Sequence, residues 1–277
     1  MTVRELLREG VRVLNEACVP SPKLDSEFLL AEALKTPRLN LLLSQSDEVP
    51  SSAEESFRAL LNRRAGREPL QYILGTESFF GLPFRVSPHV LIPRDDTESL
   101  CERALEVLKQ NGAVLDLCTG SGALAVAIAH TRQDARVSAC DLSPDALSVA
   151  RSNAALNGVS VQFYEGDLFA AVGEKTFDLI VSNPPYIPDG DIASLQEEVR
   201  FEPRMALAGG GDGLDFYRRI AKEAPLHLNE NGWLCLEIGD TQGRDVMALL
   251  APHFDSVTLH HDLSGHPRVV RGRVKKA

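Results

Sequence analysis

The sequence predicts an α/β protein: a doubly wound, mostly parallel sheet with an antiparallel last strand, preceded by a small helical bundle and a β-hairpin linker. Three observations carry this. Apolar residues recur at helical spacing through the first 68 residues. Between Pro69 and Pro93, glycine, proline and alternating apolar residues replace that pattern. Beyond Asn111-Gly112, short apolar runs alternate with amphipathic stretches, as they do where helices cover both faces of a parallel sheet. The expected organisation is a helical domain over 1–68, a hairpin linker over 69–93 and an α/β domain over 94–277.

Each element has its own signal. Thr2 and Glu5 form a capping-box pattern, and Val3, Leu6, Leu7, Val13, Leu14 and Ala17 then follow helical spacing. Ser21-Pro22 opens a second helix with apolar positions Leu24, Phe28, Ala31 and Leu34; proline suits a first helical position because no N–H is needed there. "TPRLNLLLSQ" predicts a short third helix. Ser52 with Glu55 predicts the cap of a fourth, which carries Phe57, Leu60 and Leu61 and stops near Gly66. "SFFGLPFRVSPHVLIPR" predicts the hairpin, and Asp96 to Lys109 a helix. After that, "AVLDL", "RVSAC", "VQFY", "FDLIVSN" and "GWLCLEIG" predict strands. Between them, "ALAVAIAH", "SPDALSVARSNAALNG", "LDFYRRIAKEAPLHL" and "TQGRDVMALLAPHF" predict helices. The second of these has Ser143 as N-cap, Pro144 in its first turn and Gly158 as its stop. "SVTLHHDL" and "RVVRGRV" close the chain as strands. The "SGHP" between them is too short for a parallel crossover, so one antiparallel strand is expected at the end of the sheet. Trp233 and Phe254 are expected in the core.

Composition narrows the function classes. With 44% hydrophobic and 25% charged residues, the 277-residue chain has a soluble globular profile, no bilayer-length apolar run and no signal-peptide pattern at its start. A cytoplasmic protein is expected. Cys18, Cys101, Cys118, Cys140 and Cys235 are widely spaced without a CxxC, which argues for reduced thiols and against a zinc site. The net charge of −10 is uneven: residues 1–75 hold 10 Lys+Arg against 11 Asp+Glu, or −1, and the rest holds 19 against 28, or −9. So acidic an α/β domain is a poor electrostatic match for a nucleic-acid backbone.

The candidate site begins at "VLDLCTGSGAL", where a strand bearing Asp116 runs into Cys118, Thr119, Gly120, Ser121 and Gly122. Glycines there let the backbone turn tightly and approach a ligand. About twenty residues on, the next strand ends at Asp141-Leu142, where an acidic side chain grips a ribose diol in doubly wound sheets. The third strand leads to Asp167-Leu168 at the same end. Three acidic residues at successive strand ends disfavour a phosphate ligand and suit a neutral or cationic nucleoside. There is no GxxxxGK[ST] phosphate loop. The fourth strand, "FDLIV", is stopped abruptly by Asn183, Pro184 and Pro185, and Tyr186 follows.

Asp116, the Gly120–Gly122 turn, Asp141, Asp167 and the NPPY tetrapeptide together resemble a class I S-adenosylmethionine-dependent methyltransferase with a Rossmann-like sheet. The resemblance implies that S-adenosylmethionine is the cofactor. It puts the glycine loop under the methionine and ribose, Asp141 on the ribose hydroxyls and Asp167 on the adenine amine. Asp116 would order the loop or meet the amino group. Cys118, Thr119, Ser121, Leu142, Leu168 and Asn183 complete the expected cofactor set. In such enzymes NPPY accompanies methylation of planar nitrogen. An amide nitrogen is a poor nucleophile because its lone pair is delocalised, but it carries two N–H donors. The Asn183 side-chain oxygen and the Pro184 carbonyl can each accept one. Pro184 and Pro185 hold that backbone rigid, and Tyr186 can cover the flat group.

Longer stretches narrow the resemblance. "EPLQYILGTESFFGLPFRVSPHVLIPRDDTESL", "EVRFEPRMALAGGGDGLDFYRRI", "LEIGDTQ" and "DLSGHPRVV" are similar to the HemK family of protein-(glutamine-N5) methyltransferases, over about Pro69 to Val270. That implies a substrate glutamine in the GGQ loop of class 1 peptide chain release factors, gripped by the N-terminal bundle, and a monomeric enzyme. The sequence departs from the family pattern at Asp95-Asp96, at Cys118 in place of glycine, and at Leu168 in place of an aromatic. Cys118 must avoid positive φ or tolerate strain. "GGGDG" (209–213) is expected to be a connecting turn. The rival readings are a nucleic-acid N-methyltransferase acting on adenine N6 or guanine N2, and an inactive cofactor-binding protein.

Overall fold

A computed structural model describes residues 1–275; Lys276 and Ala277, the end of the expected α/β domain, lie outside the described residues. The chain forms two units: Met1–Gly75 with Gln196–Phe201, and Thr76–Leu195 with the chain from Glu202 onward.

The first unit is helical: α1 (Val3–Glu16), α2 (Pro22–Leu34), α3 (Arg38–Leu43), α4 (Ser51–Ala65) and α5 (Leu70–Leu74). The capping box forms, with Glu5 N–H donating to Thr2 Oγ1 at 3.3 Å and Thr2 N–H to Glu5 Oε2 at 2.8 Å. Val3, Leu6 and Leu14 of α1 pack with Leu29 and Leu30 of α2 and with Phe57 and Leu61 of α4. The cap expected at Ser52 is corrected. Pro50 is the N-cap, and its carbonyl already accepts from the amides of Ala53 and Glu54, so Ser52 lies inside the first turn. α5 falls in the stretch read as linker and ends at Gly75, whose φ of +74° suits glycine. Arg64, 5% exposed, donates to Asp25 at 2.7 Å and to Glu198 at 3.0 Å, and Arg67 grips Glu198 at 2.8 and 2.6 Å. These charges tie Gln196–Phe201, distant in sequence, into this unit.

The second unit opens with a hairpin, β1 (Thr76–Phe79) and β2 (Leu82–Arg85), closed by an edge-to-face pair, Phe79 on Phe84. There follow α6 (Asp95–Val107), β3 (Ala113–Leu117), α7 (Ala123–Thr131), β4 (Arg136–Asp141), α8 (Pro144–Leu156), β5 (Gln162–Glu165), β6 (Phe177–Ser182), α9 (Asp215–Glu223), β7 (Leu228–Glu237), α10 (Gly243–Leu250), β8 (Phe254–His261) and β9 (Pro267–Val274). The sheet order is β5-β4-β3-β6-β7-β9-β8. β3 and β6 are nearly or wholly buried, as central parallel strands must be. Strand alternation sends Val114, Leu179 and Val181 to one face with α6 and α7, and Leu115, Ile180 and Leu234 to the other with α9 and α10.

β9 is antiparallel to both β7 and β8. The last strand of the chain is therefore antiparallel, as expected, but it lies between β7 and β8 rather than at the end of the sheet. Its buried Val269, Val270 and Gly272 belong inside, while β8 carries the exposed Asp255, Ser256, Thr258 and His261 that an edge tolerates. Trp233 is half-buried beneath Arg271 rather than in the core. Phe254 is buried. No helix among the described residues is long and apolar enough to cross a membrane.

Candidate active site

The chain runs from β5 back across β3 to β6, so the sheet has its switch point at the carboxyl ends of β3 and β6, where such sheets bind ligands. The three strands end level, with Leu117 opposite both Cys140 and Ser182. Beyond β3 the backbone enters the left-handed region at Cys118 (φ +58°), Gly120 (+54°) and Gly122 (+81°). Cys118 therefore accepts the strain, about 1–2 kcal/mol for a residue with a Cβ. A Cβ on Gly122 would lie 3.0 Å from the Ala150 methyl of α8, so close packing as well as φ holds that position to glycine.

Asp116 is fully buried, and its Oδ2 accepts from Thr119 Oγ1 at 2.6 Å and from Ala125 N–H at 3.2 Å. Burial raises its pKa to about 7. It ties the loop to the start of α7 and stands outside the cavity wall, which fits loop ordering, of its two expected roles. Asp141, at the end of β4, accepts from Gly120 N–H at 2.8 Å and from Ser143 N–H at 2.9 Å. Burial raises its pKa, and these amides oppose the shift. Each carboxylate oxygen keeps a lone pair for another donor. Asp167 is paired to Arg219 at 2.8 Å.

These residues surround a cavity of about 380 Å³, within the range of small-molecule sites. Cys118, Thr119, Gly120, Ser121, Asp141, Leu142, Asp167, Leu168, Asn183 and Pro185 are in its wall; Asp116, Gly122, Pro184 and Tyr186 are not. Leu142 is 57% exposed, and Leu168, at φ +48°, is buried, so Leu142 supplies most of the apolar surface of the pair. Arg94, Thr97, Phe216 and Arg219 also line it, and the sequence had offered no role for them.

Asn183 follows the buried β6. Its Nδ2 donates to Thr97 Oγ1 on α6 at 3.2 Å. Beyond the prolines, Ile187 N–H donates to the Leu207 carbonyl and Gly209 N–H to the Ile187 carbonyl, both at 2.9 Å. Gln242 Nε2 donates to the carbonyls of Tyr186 (2.9 Å) and Gly213 (3.2 Å), while its Oε1 accepts from Gly239 N–H. Tyr186 is half-buried, and desolvation pushes its phenol up to about 12. The "GGGDG" segment is more than a connector. Gly209 lies so close behind the NPPY backbone that a Cβ there would sit 2.7 Å from Tyr186 Cα. Glu237, at the end of β7, is 2% exposed. Burial drives its pKa to about 7, with Thr97, Arg268 and Asn183 pulling the other way. An acidic residue inside the apolar run "WLCLEIG" was the available sequence signal for Glu237. Gln242 gave none. All five cysteines are free. No group of metal-binding side chains occurs among the described residues.

Residues 5–75 match the family described as PrmC N-terminal domain, and residues 95–212 the Methyltransferase small domain. The chain is 45% identical to the release factor glutamine methyltransferase of Geobacter sulfurreducens, covering 99% of this chain and 97% of that one. It is 44% identical to the protein of that name from Neisseria gonorrhoeae, covering 92% and 94%. Among solved structures, a methyltransferase from Pyrococcus furiosus aligns with a TM-score of 0.55 at 21% identity, covering 81% of this chain and 100% of that one. A Thermus thermophilus 16S rRNA methyltransferase in complex with AdoMet and guanosine aligns at 0.53 and 20% identity, covering 72% and 50%. These two likenesses concern the fold. Identity at this level along nearly the whole chain places it in the release factor glutamine methyltransferase family.

Proposed function

We propose that this protein is an S-adenosylmethionine-dependent methyltransferase that modifies the side-chain amide nitrogen of the GGQ glutamine in peptide chain release factors. The observation that carries the reading is that Asn183 and Pro185 share one cavity wall with Gly120, Asp141 and Asp167. The group fits the residues present. A Cβ built on Gly120 would meet nothing within 4 Å, so the loop backbone is open to a ligand. The wall arginines are already paired, Arg94 with Glu202 and Arg219 with Asp167. Neither wall arginine is left unpaired to favour a phosphate, and Asp141 and the second oxygen of Asp167 remain for hydroxyl and amine donors.

Asp141 would hold the ribose hydroxyls, Asp167 the adenine amine, and Leu142 and Leu168 the faces of the base. Bound S-adenosylmethionine would supply an electrophilic methyl group and leave as the neutral thioether when the sulfur–methyl bond breaks, and the methylated amide would return to neutral by losing one N–H proton to solvent. The chain's own contribution is to prepare the nitrogen. Asn183 Oδ1 and the Pro184 carbonyl accept its two N–H groups, so that positive charge growing on nitrogen meets two fixed acceptors. Pro184 and Pro185 keep those acceptors from relaxing, and positioning alone is worth several kcal/mol. Tyr186 stands just beyond the cavity wall, where a docked amide would meet its ring. The finer expectations belong to the same reading: a class 1 release factor held by the N-terminal helical unit, a monomeric enzyme and a cytoplasmic location.

Incubation with S-adenosylmethionine and an unmodified release factor, followed by mass analysis of the GGQ peptide, tests this. One added methyl is expected, with Asn183→Ala at least about 100-fold slower. A folded, cofactor-binding protein that leaves the peptide unmodified would overturn it.

A further inference from the structure

The orientation of the Asn183 amide is decided by residues that lie behind it. Its two ends look alike in shape, but only the oxygen can accept a hydrogen bond from a substrate N–H. On the inner side of the amide stand two groups. Thr97 Oγ1 lies 3.2 Å from Nδ2. The Glu237 carboxyl stands near enough to Thr97 and Asn183 that both hold its pKa down against burial. Once ionised, as it becomes above about pH 7, this carboxylate accepts and cannot donate. In that state it selects the rotamer with nitrogen inward, and Oδ1 is left for another donor.

Glu237 has no other evident employment. It is 2% exposed, and its Oε2 has no hydrogen-bond partner. Arg268 attracts the carboxylate and Asp96 repels it, and Arg268 is itself taken by Asp96 at 3.0 Å and Asp262 at 3.3 Å. An acidic group buried this way lowers stability unless something offsets the desolvation. A cost of that kind points to function.

We propose that Thr97 and Glu237 are positioning residues that hold the Asn183 amide nitrogen inward, turning its oxygen to the substrate nitrogen. The inference rests on the proposed function for the identity of that substrate. It also accounts for the selection of an –NH2 group: a fixed acceptor rewards a donor and leaves an acceptor-only group unpaired.

The test uses the full-length protein with Thr97→Val, Thr97→Ser and Glu237→Met. Valine keeps the threonine shape without the hydroxyl, and methionine fills the glutamate volume without the charge. Thr97→Val and Glu237→Met are each expected to lower kcat on release factor at least about tenfold, with the cofactor Kd changed less than about twofold. Glu237→Met should be slower yet at least as heat-stable as the parent, a combination that a purely structural role would not produce. Thr97→Ser should retain kcat. In an Asn183→Ala background neither substitution should cost more, because the group they orient is gone. Independently of activity, the Asn183 side-chain NH2 resonance of the cofactor-free protein should shift in Thr97→Val and in Glu237→Met. An unchanged kcat and an unchanged resonance would overturn the inference, as would a full additional loss in the Asn183→Ala background. A parent protein that methylates no release factor, with the resonance still responding, would sink the proposed function and leave the positioning role standing.

Discussion

Gly209→Ala isolates the support behind the NPPY segment. Gly209 is buried, and an added methyl would lie 2.7 Å from Tyr186 Cα, 2.8 Å from the Pro185 carbonyl oxygen and 2.9 Å from Tyr186 C. Ordinary contact begins near 3.4 Å, so the nearest backbone atom must retreat by about 0.7 Å. All three atoms are main chain and cannot swing aside as a side-chain tip can. Prolines at 184 and 185 also remove the easy torsions. The displacement is therefore expected to reach Asn183 and the Pro184 carbonyl. Overpacking of this kind costs about 1–3 kcal/mol of stability. In a protein of this size that lowers Tm by a few degrees. Misplacement of reacting groups by most of an ångström lowers kcat by about 100-fold. The assay pairs release-factor methylation with a thermal melt and a cofactor titration. Cofactor affinity should fall far less than kcat, since the Gly120 loop and Asp141 are on other elements and only Asn183 of the expected cofactor set is displaced. Gly211→Ala, two residues away in open space, is the control and should behave as the parent does. A Gly209→Ala enzyme with parental kcat would refute the idea that this loop fixes the motif.

Two further outcomes follow from buried charge. Glu237 has a folded pKa of about 7 against an ordinary 4.5, so the folded state favours its protonated form. The resulting stability is fully present below about pH 4.5 and is lost as pH rises toward 7, by about 3 kcal/mol at most. Glu237→Gln should flatten that fall and raise Tm at pH 8 more than at pH 5. An identical pH slope in the variant would contradict it. In the helical unit, Arg64→Ala strips the buried Asp25 of its cation. Removing one partner of a buried pair costs about 3–5 kcal/mol. Amide exchange should accelerate in α1, α2 and α4 while the sheet strands keep their protection; unchanged exchange would show that Asp25 finds another partner.

That the glycine loop, Asp141 and Asp167 share one cavity wall was legible because these residues are local in sequence. Strand, glycine turn and helix are consecutive, and Asp141 and Asp167 each end the next strand along. Order and spacing alone bring them to one edge of a parallel sheet. The NPPY motif was legible for a related reason: prolines that halt a core strand are rare enough to demand an explanation. The partners of Asn183 were not. Thr97 lies 86 residues before it and Glu237 54 residues after it, on α6 and β7. Neither shares a periodic pattern with the motif, and the family-like stretches that hold Thr97, Glu237 and Gln242 do not say what each side chain touches.

Most of the element order, the parallel sheet, the glycine turn after β3 and the proline stop after β6 can be read from the residues, since hydrophobic period, caps and glycine positions are local properties. Tertiary structure alone decided three matters. β9 was inserted between β7 and β8, because strand order depends on which strand has the more apolar surface to bury. Asp116 fell behind the loop and outside the cavity wall, because its carboxyl is consumed by Thr119 and Ala125. Tertiary structure also brought Thr97 and Glu237 to bear on Asn183, because the direction of an amide is set by whatever donors and acceptors the fold assembles around it.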